Sequence, residues 1–483
     1  MNFNLPRFCS LIYFVGLLSV ILQLPVLAQT TADVTITIHL RGVYESKISL
    51  LGLSGRIFEK IAETQGIKDG ETTEITVTRA SLPGEFVLRF DYKENEASAP
   101  YPSEKYIFIN NQDLELWVRP QYCNNADSTW FQTDETENST FVKFSKENEK
   151  KREKLGLLQH FLMNYDDTKS KLFKEATKEY EQRRQMYNKW LKDQTKQDKL
   201  LFISTLYGFQ YVPQIPFNSS ETDRIYSLIR HYFDGIDFND SLLIKTSEIN
   251  KWMDGYVNLY GQLSTTTALR DSLFPLAGRT AIEKAKAGHP LVYGWMVDYF
   301  YVGYEANAID AGMKILEPYL NDPNCLTLKR QEISRRLKGI KTLVSGSKAP
   351  NIILNDSLGK VFELEKYKPG GKYVLLFFWS ADCSHCVETV NAIYPWLQQT
   401  ENRLKVSVVA ISLDETDAEI KKWEQEINKL VGWNHLRAED GVRSKVANDY
   451  FILATPVMIL LDSKTNEIVA TPNTPDELKA NVK

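Results

Sequence analysis

Residues 372–386 read KYVLLFFWSADCSHC. An unbroken apolar run, Tyr373–Trp379, is followed by a short small-residue turn and two cysteines spaced two apart, Cys383 and Cys386. A continuous apolar run of this length bounded by turn residues reads as a strand buried on both faces. The pair after it is open to three readings: a redox dithiol, half of a metal site, or two core thiols. The flanking sequence narrows them. Before the run, APNIILNDSLGKVFELEKY holds two short strand-like pieces around a turn. After it come a helical stretch, the buried strand KVSVVAISLD, the helix DAEIKKWEQEINKL, and then TPVMILLD and NEIVATP, a hairpin pattern. Thr474-Pro475-Asp476-Glu477 reads as a capping box that opens a last short helix.

A β-α-β half followed by a β-β-α half, with the cysteines at the end of the first buried strand, describes a thioredoxin-like α/β domain over 346–483. The chain has 483 residues, so further domains precede it. Over 29–122, VTITIHL alternates with period two, and KISLLGL, TEITVTR, EFVLRFDY, KYIFIN and DLELWVR are strand-like runs between polar turns. They predict a small antiparallel β-sandwich. The polar stretch NNADSTWFQTDETENST reads as a linker. From 144 to 344 the period changes to that of amphipathic helices, with Leu158, Leu162, Tyr165, Leu172, Ala176, Tyr180, Tyr187 and Leu191 on apolar stripes. Ser345-Gly346-Ser347 marks the boundary with the last domain.

Composition is globular, with 43% apolar and 25% charged residues and a net charge of −4, so nothing asks for nucleic acid or an anionic membrane surface. At the N-terminus, Arg7 precedes the apolar stretch Leu11–Ala28, and Val26 and Ala28 supply the small residues a signal peptidase needs. The expectation is a signal peptide over 1–28 cleaved after Ala28 and an exported, periplasmic protein; the alternative is an N-terminal membrane anchor. Cys9 lies before that stretch. The remaining cysteines, Cys123, Cys325, Cys383 and Cys386, are too few for a disulfide scaffold, and whether Cys123 and Cys325 are bridged stays open.

A dithiol couple needs one exposed, ionised thiol and a second within reach. At a helix N-terminus Cys383 sits beside unpaired backbone N–H groups that stabilise a thiolate, and Cys386, one turn on, resolves the mixed disulfide. His385 between them favours the thiolate when protonated, and Asp382 opposes it, so both are candidate redox-tuning residues. Thr455-Pro456 opens the strand VMILL about 70 residues after the pair, where this topology packs a cis-proline against the CxxC loop. Thr455, Pro456 and Trp379 are the candidate substrate-binding residues. A zinc site wants four ligands, and the pair lacks a second CxxC or an HxxxH, so no metal is expected. No cofactor is expected beyond the redox-active disulfide Cys383–Cys386.

These motifs carry a resemblance. GSKAPNIILNDSLGKVFELEKYK, VLLFFWSADCSHC, VVAISLDE, WNHLRAEDG and ATPVMILLDSKTNEIV together resemble the TlpA/ResA-type thioredoxin-like proteins, exported bacterial thiol-disulfide oxidoreductases. The whole layout, including YFDGIDFNDSLLIKTSEINKWMDGYV, is similar to exported proteins of this kind common in Bacteroidetes. The resemblance implies Cys383 and Cys386 as the redox pair, Pro456 as the cis-proline, protein dithiols or disulfides as clients, and a membrane-linked redox partner. The chain departs from thioredoxin at Phe377, where the buried aspartate would stand, and at Asp382, where a tryptophan is usual. It departs from many TlpA-type proteins at Thr389, beside Glu388, where an acidic residue is usual. The alternative function is a non-catalytic binding or scaffold protein with a degenerate thioredoxin-like domain. Client, redox direction and oligomeric state are not specified by the sequence.

Overall fold

The computed structural model describes residues 33–483. The expected signal peptide, with Cys9, lies outside the described residues. Among those residues no helix is long and apolar enough to cross a membrane.

The N-terminal domain is built from strands β1 (Val34–Leu40), β2 (Glu45–Ser54), β3 (Ile57–Glu63), β4 (Ile67–Lys68), β5 (Thr72–Val77), β6 (Gly84–Lys93), β7 (Tyr101–Ile109), β8 (Leu114–Val118) and β9 (Trp130–Phe131). Two sheets, β5-β1-β8-β9 and β3-β2-β6-β7 with β4 beside β2, close over one core. Val34, Ile36, Ile38 and Leu40 of β1 meet Ile48, Leu50, Leu88 and Phe90 there, as the period of two requires. The sandwich is mixed, not antiparallel as expected. β8 runs parallel to β1, with Ile36 opposite Leu114, because the chain between them passes through the other sheet and returns without a reversing hairpin. β3 escaped the sequence reading because most of its side chains face solvent and no alternation marks it.

The polar stretch expected as a linker is structural. Trp130 pairs with Trp117, and α1 (Glu137–Asn164) starts within the stretch. Asn138 is buried: its Oδ1 accepts from Phe108 N at 2.9 Å and its Nδ2 donates to Phe108 O at 2.9 Å. The Glu137 carboxylate accepts from Phe202 N and Ile203 N at 2.9 and 3.1 Å. These polar residues pair backbone groups where the sandwich meets the helices, an obligatory task for buried amides.

The helical domain continues with α2 (Lys171–Gln197), α3 (Glu221–Arg230), α4 (Glu248–Leu263), α5 (Thr267–Lys286), α6 (Pro290–Ala306), α7 (Asp310–Ile315), α8 (Glu317–Leu320) and α9 (Arg330–Thr342). The abundant aromatics are core: Tyr180, Tyr187 and Tyr207 fill one cluster, and Tyr256, Tyr293 and Tyr304 another. α5 was not expected. It carries Pro275 and buries mostly small residues, Ala277, Gly278, Ala281 and Ala285, with Ile282 among them, so its stripe is weak in sequence.

The last domain holds β10 (Ile353–Asn355), β11 (Val361–Glu363), β12 (Tyr373–Trp379), α10 (Ser384–Leu397), α11 (Thr400–Lys405), β13 (Val406–Ser412), α12 (Asp417–Ile427), β14 (Asn434–Arg437), α13 (Lys445–Asp449), β15 (Val457–Asp462), β16 (Ile468–Ala470) and α14 (Pro475–Asn481). The sheet order is β14-β13-β12-β15-β16. β12 is central, parallel to β13 and antiparallel to β15. Its side chains alternate between two cores: Val374, Leu376 and Phe378 enter one, and Tyr373, Leu375, Phe377 and Trp379 the other, under α10. The Ser345–Ser347 boundary is stitched to the sheet edge, with Gly346 N donating to Ile468 O at 2.7 Å. At α14 only half of the expected box forms: Thr474 accepts from Glu477 N, but the Glu477 carboxylate reaches back to Asn473 N.

Candidate functional site

β12 ends at Trp379, and the turn Ser380–Asp382 delivers Cys383 to the N-cap of α10. The helix buries Cys386, Val390, Ile393 and Leu397, a stripe at helical spacing that turns the first α10 turn against the sheet. Cys383 is therefore half-buried at the surface and Cys386 fully buried beneath it. Both are free thiols. Cys386 N donates to Cys383 Sγ at 3.2 Å, so an otherwise unpaired first-turn amide meets the first sulfur. Burial, and secondarily the hydrogen bond with Cys383, pushes the Cys386 thiol up to about 12.

On the other side of the cysteines stands the start of β15. The Thr455–Pro456 bond is cis, and Cys383 Sγ lies 3.7 Å from Thr455 O. Cys383, Cys386, Thr455 and Pro456 thus come together at one end of the sheet, from segments 69 or more residues apart in sequence.

Three other candidates are placed differently. Trp379, read as substrate-binding, is 1% exposed and stacks on Phe377 in the core beneath α10, so it cannot touch a client. The last residue of an inward-facing strand register points into the core whatever its type. His385 turns outward: its side chain is 81% exposed, and the nearest polar partner is Glu388 Oε2, 3.3 Å from Nδ1. Asp382 is paired with Lys422 of α12 at 2.9 Å, so its negative charge beside the site is partly offset. At the position of the missing aspartate, Phe377 is fully buried opposite Met458.

The sequence reading missed Asp414, just past the end of β13. It is 1% exposed, and its carboxylate accepts from Ser380 Oγ at 2.5 Å, Ala381 N at 3.2 Å and Ser412 Oγ at 2.7 Å. Ser380 Oγ in turn accepts from Asp382 N at 3.1 Å. A buried carboxylate thus holds the turn that presents Cys383. Its signal was present in VVAISLDE, where an acid directly ends a buried strand.

Cys123 and Cys325 lie in separate cores, the sandwich and the helical domain, and each is a free thiol. Burial pushes Cys325 up to about 11.

A family model described as thioredoxin-like matches residues 370–468. A thiol-disulfide oxidoreductase ResA of Bacillus thuringiensis subsp. konkukian is 35% identical over 81 residues, which are 16% of this chain and 43% of that relative. The chain therefore spans less than half the length of this relative. A second ResA, from Bacillus thuringiensis, is 28% identical over 143 residues, 29% of this chain and 76% of the relative. Among solved structures, a thioredoxin-like protein from Bacteroides caccae is 18% identical and covers 56% of this chain and 96% of its own, with a TM-score of 0.38. These sequence matches concentrate on the domain that carries the dithiol: residues 370–468 are thioredoxin-like, and the likeness to ResA over this domain supports a thioredoxin-like protein of the TlpA/ResA type.

Proposed function

We propose that the chain is an exported thiol-disulfide oxidoreductase that exchanges disulfides with protein clients through Cys383 and Cys386. The observation that carries this is the half-exposed Cys383 at the N-cap of α10, facing the Thr455 carbonyl, with Cys386 buried directly behind it. The relatives' name, thiol-disulfide oxidoreductase, supports the same chemistry.

In the reducing direction, Cys383 as thiolate attacks one sulfur of a client disulfide. The client S–S bond breaks, a mixed disulfide forms, and one client thiolate leaves. Cys386 then gives up its proton and attacks Cys383 Sγ, closing the Cys383–Cys386 disulfide and releasing the second client thiolate. Two electrons pass to the client, and the oxidising direction is the reverse. The high affinity of Cys386 for its proton makes the second step the demanding one. With Phe377 in place of an acid below the pair, that proton leaves by water or by the departing client thiolate. A membrane-linked partner then resets the pair in a periplasmic setting, a reading supported by the apolar Leu11–Ala28 stretch.

The test is disulfide exchange with a cystine-bridged peptide. Cys383→Ser should abolish it, and Cys386→Ser should accumulate the mixed disulfide at Cys383. Exchange at the wild-type rate in Cys383→Ser would sink the proposal and leave the binding-module reading.

A further inference from the structure

Two adjacent arginines on α9 point to different domains. Arg336 stays with the helices: its Nε donates to Glu305 at 2.9 Å and its Nη2 to Asp310 at 3.0 Å. Arg335 crosses to the thioredoxin-like domain, where its Nη2 donates to Ile452 O at 2.7 Å and Ala447 O at 3.0 Å, with Val442 O at 3.4 Å. Ala447 O also accepts from Ile452 N at 2.8 Å, so the guanidinium closes this turn from outside.

One helical turn on, Gly339 lets α9 approach the same segment. A Cβ there would lie 2.8 Å from Phe451 Cβ, and Phe451 itself holds a left-handed backbone with φ of 53°. Lys338 Nζ sits 5.6 Å over the Phe451 ring. The gripped segment, Phe451–Ile452, runs straight into Thr455, whose carbonyl faces Cys383 Sγ at 3.7 Å. Only Leu453 and Ala454 separate the anchored Ile452 from that wall of the site.

We infer that Arg335 is a positioning residue through which the helical domain sets the client-facing Thr455 wall of the dithiol site. The inference rests on the oxidoreductase reading above and gives the helical domain a part in it. Cys383 itself is held by other means, the N-cap of α10 and the Asp414-clamped turn, so the two walls of the site have separate supports. Losing Arg335 should therefore affect clients that bind along the Thr455 wall and spare the intrinsic reactivity of the thiol.

The experiment uses the full chain and compares Arg335→Ala, Arg335→Lys and the double variant Glu305→Gln/Asp310→Asn, which loosens the anchor while leaving Arg335 in place. Each is assayed with a cystine-bridged peptide, with a small aromatic disulfide, and by iodoacetamide alkylation of Cys383, alongside thermal unfolding. For Arg335→Ala we expect a loss on the order of tenfold in kcat/KM for the peptide, carried mainly by KM, the size a charge-assisted hydrogen bond supports. Alkylation and small-disulfide rates should match wild type. Arg335→Lys should recover part of the loss, and the double variant should shift in the same direction by less. Equal peptide kinetics in wild type and Arg335→Ala would overturn the inference alone. A parallel fall in all three thiol readouts with the unfolding temperature would overturn it too, in favour of a purely structural contact. Absence of exchange in the wild-type chain would instead remove the oxidoreductase reading on which it rests.

Discussion

β1 and β12 are both strands of seven residues, yet they carry opposite signatures. In β1 every second side chain is buried and the others reach the surface; in β12 all seven are buried. The difference follows from what covers each sheet. The sandwich buries one face of β1 and leaves the other wet, while helices and loops cover both faces of β12. A strand covered on both sides ends abruptly where the cover ends, and there the chain can present a side chain against a rigid base. β12 does this with Cys383, whereas β1 ends in an ordinary turn.

The comparison can be broken by mutation. Leu375→Ala and Leu376→Ala, neighbours that enter different cores of the last domain, should each cost about 2–5 kcal/mol in chemical denaturation. In β1, Ile36→Ala should cost a similar amount, while Thr37→Ala on the open face stays within about 0.5 kcal/mol. A neutral Leu376→Ala would mean that β12 is not covered on both faces.

The same rigid base separates the two thiols. With iodoacetamide near neutral pH, Cys386 in a Cys383→Ala variant should react at least ~100-fold more slowly than Cys383 in Cys386→Ala, because it is sealed in the core and its pKa is raised by burial. Comparable rates would show that the α10 turn opens freely.

Asp414 supports the turn between strand and helix. Asp414→Ala leaves Ala381 N and Ser380 Oγ unpaired, at a cost of about 1–3 kcal/mol. Asp414→Asn, which keeps an acceptor, should cost less. Equal losses in the two variants would point to charge rather than hydrogen bonding.

The smallest effect is alkaline. Cys325 and Cys386 hold their protons more tightly folded, to about 11 and about 12, than at the ordinary thiol value of 9.0. Their contribution to stability is complete below that value and is lost as pH rises through 11 and 12. By pH 9.5 the reduced protein should have lost only on the order of 1 kcal/mol per thiol, with the steep fall above it. A stability that stays flat to pH 12 would contradict the burial of both thiols.

Sequence reading reached the last domain because its signals are local. An apolar run, a CxxC pair after a turn, and a proline opening a strand each act within a few residues, through alternation, capping and φ restriction. The same reading placed Trp379 wrongly: it took a residue near the cysteine turn for a client contact, but the last position of a strand covered on both faces is core. It also passed over Asp414, whose partner Ser380 is 34 residues away.

By itself, then, the amino-acid sequence determined the β-α-β and β-β-α order of the last domain and the dithiol at its first strand end, since periodicity and capping are properties of neighbouring residues. The tertiary structure alone decided that β8 returns parallel to β1, that His385 faces water, that a buried carboxylate grips the turn before Cys383, and that Arg335 reaches across 117 residues of chain to Ile452. Each of these depends on which distant segments pack together, and no short stretch of sequence encodes the face a side chain will meet.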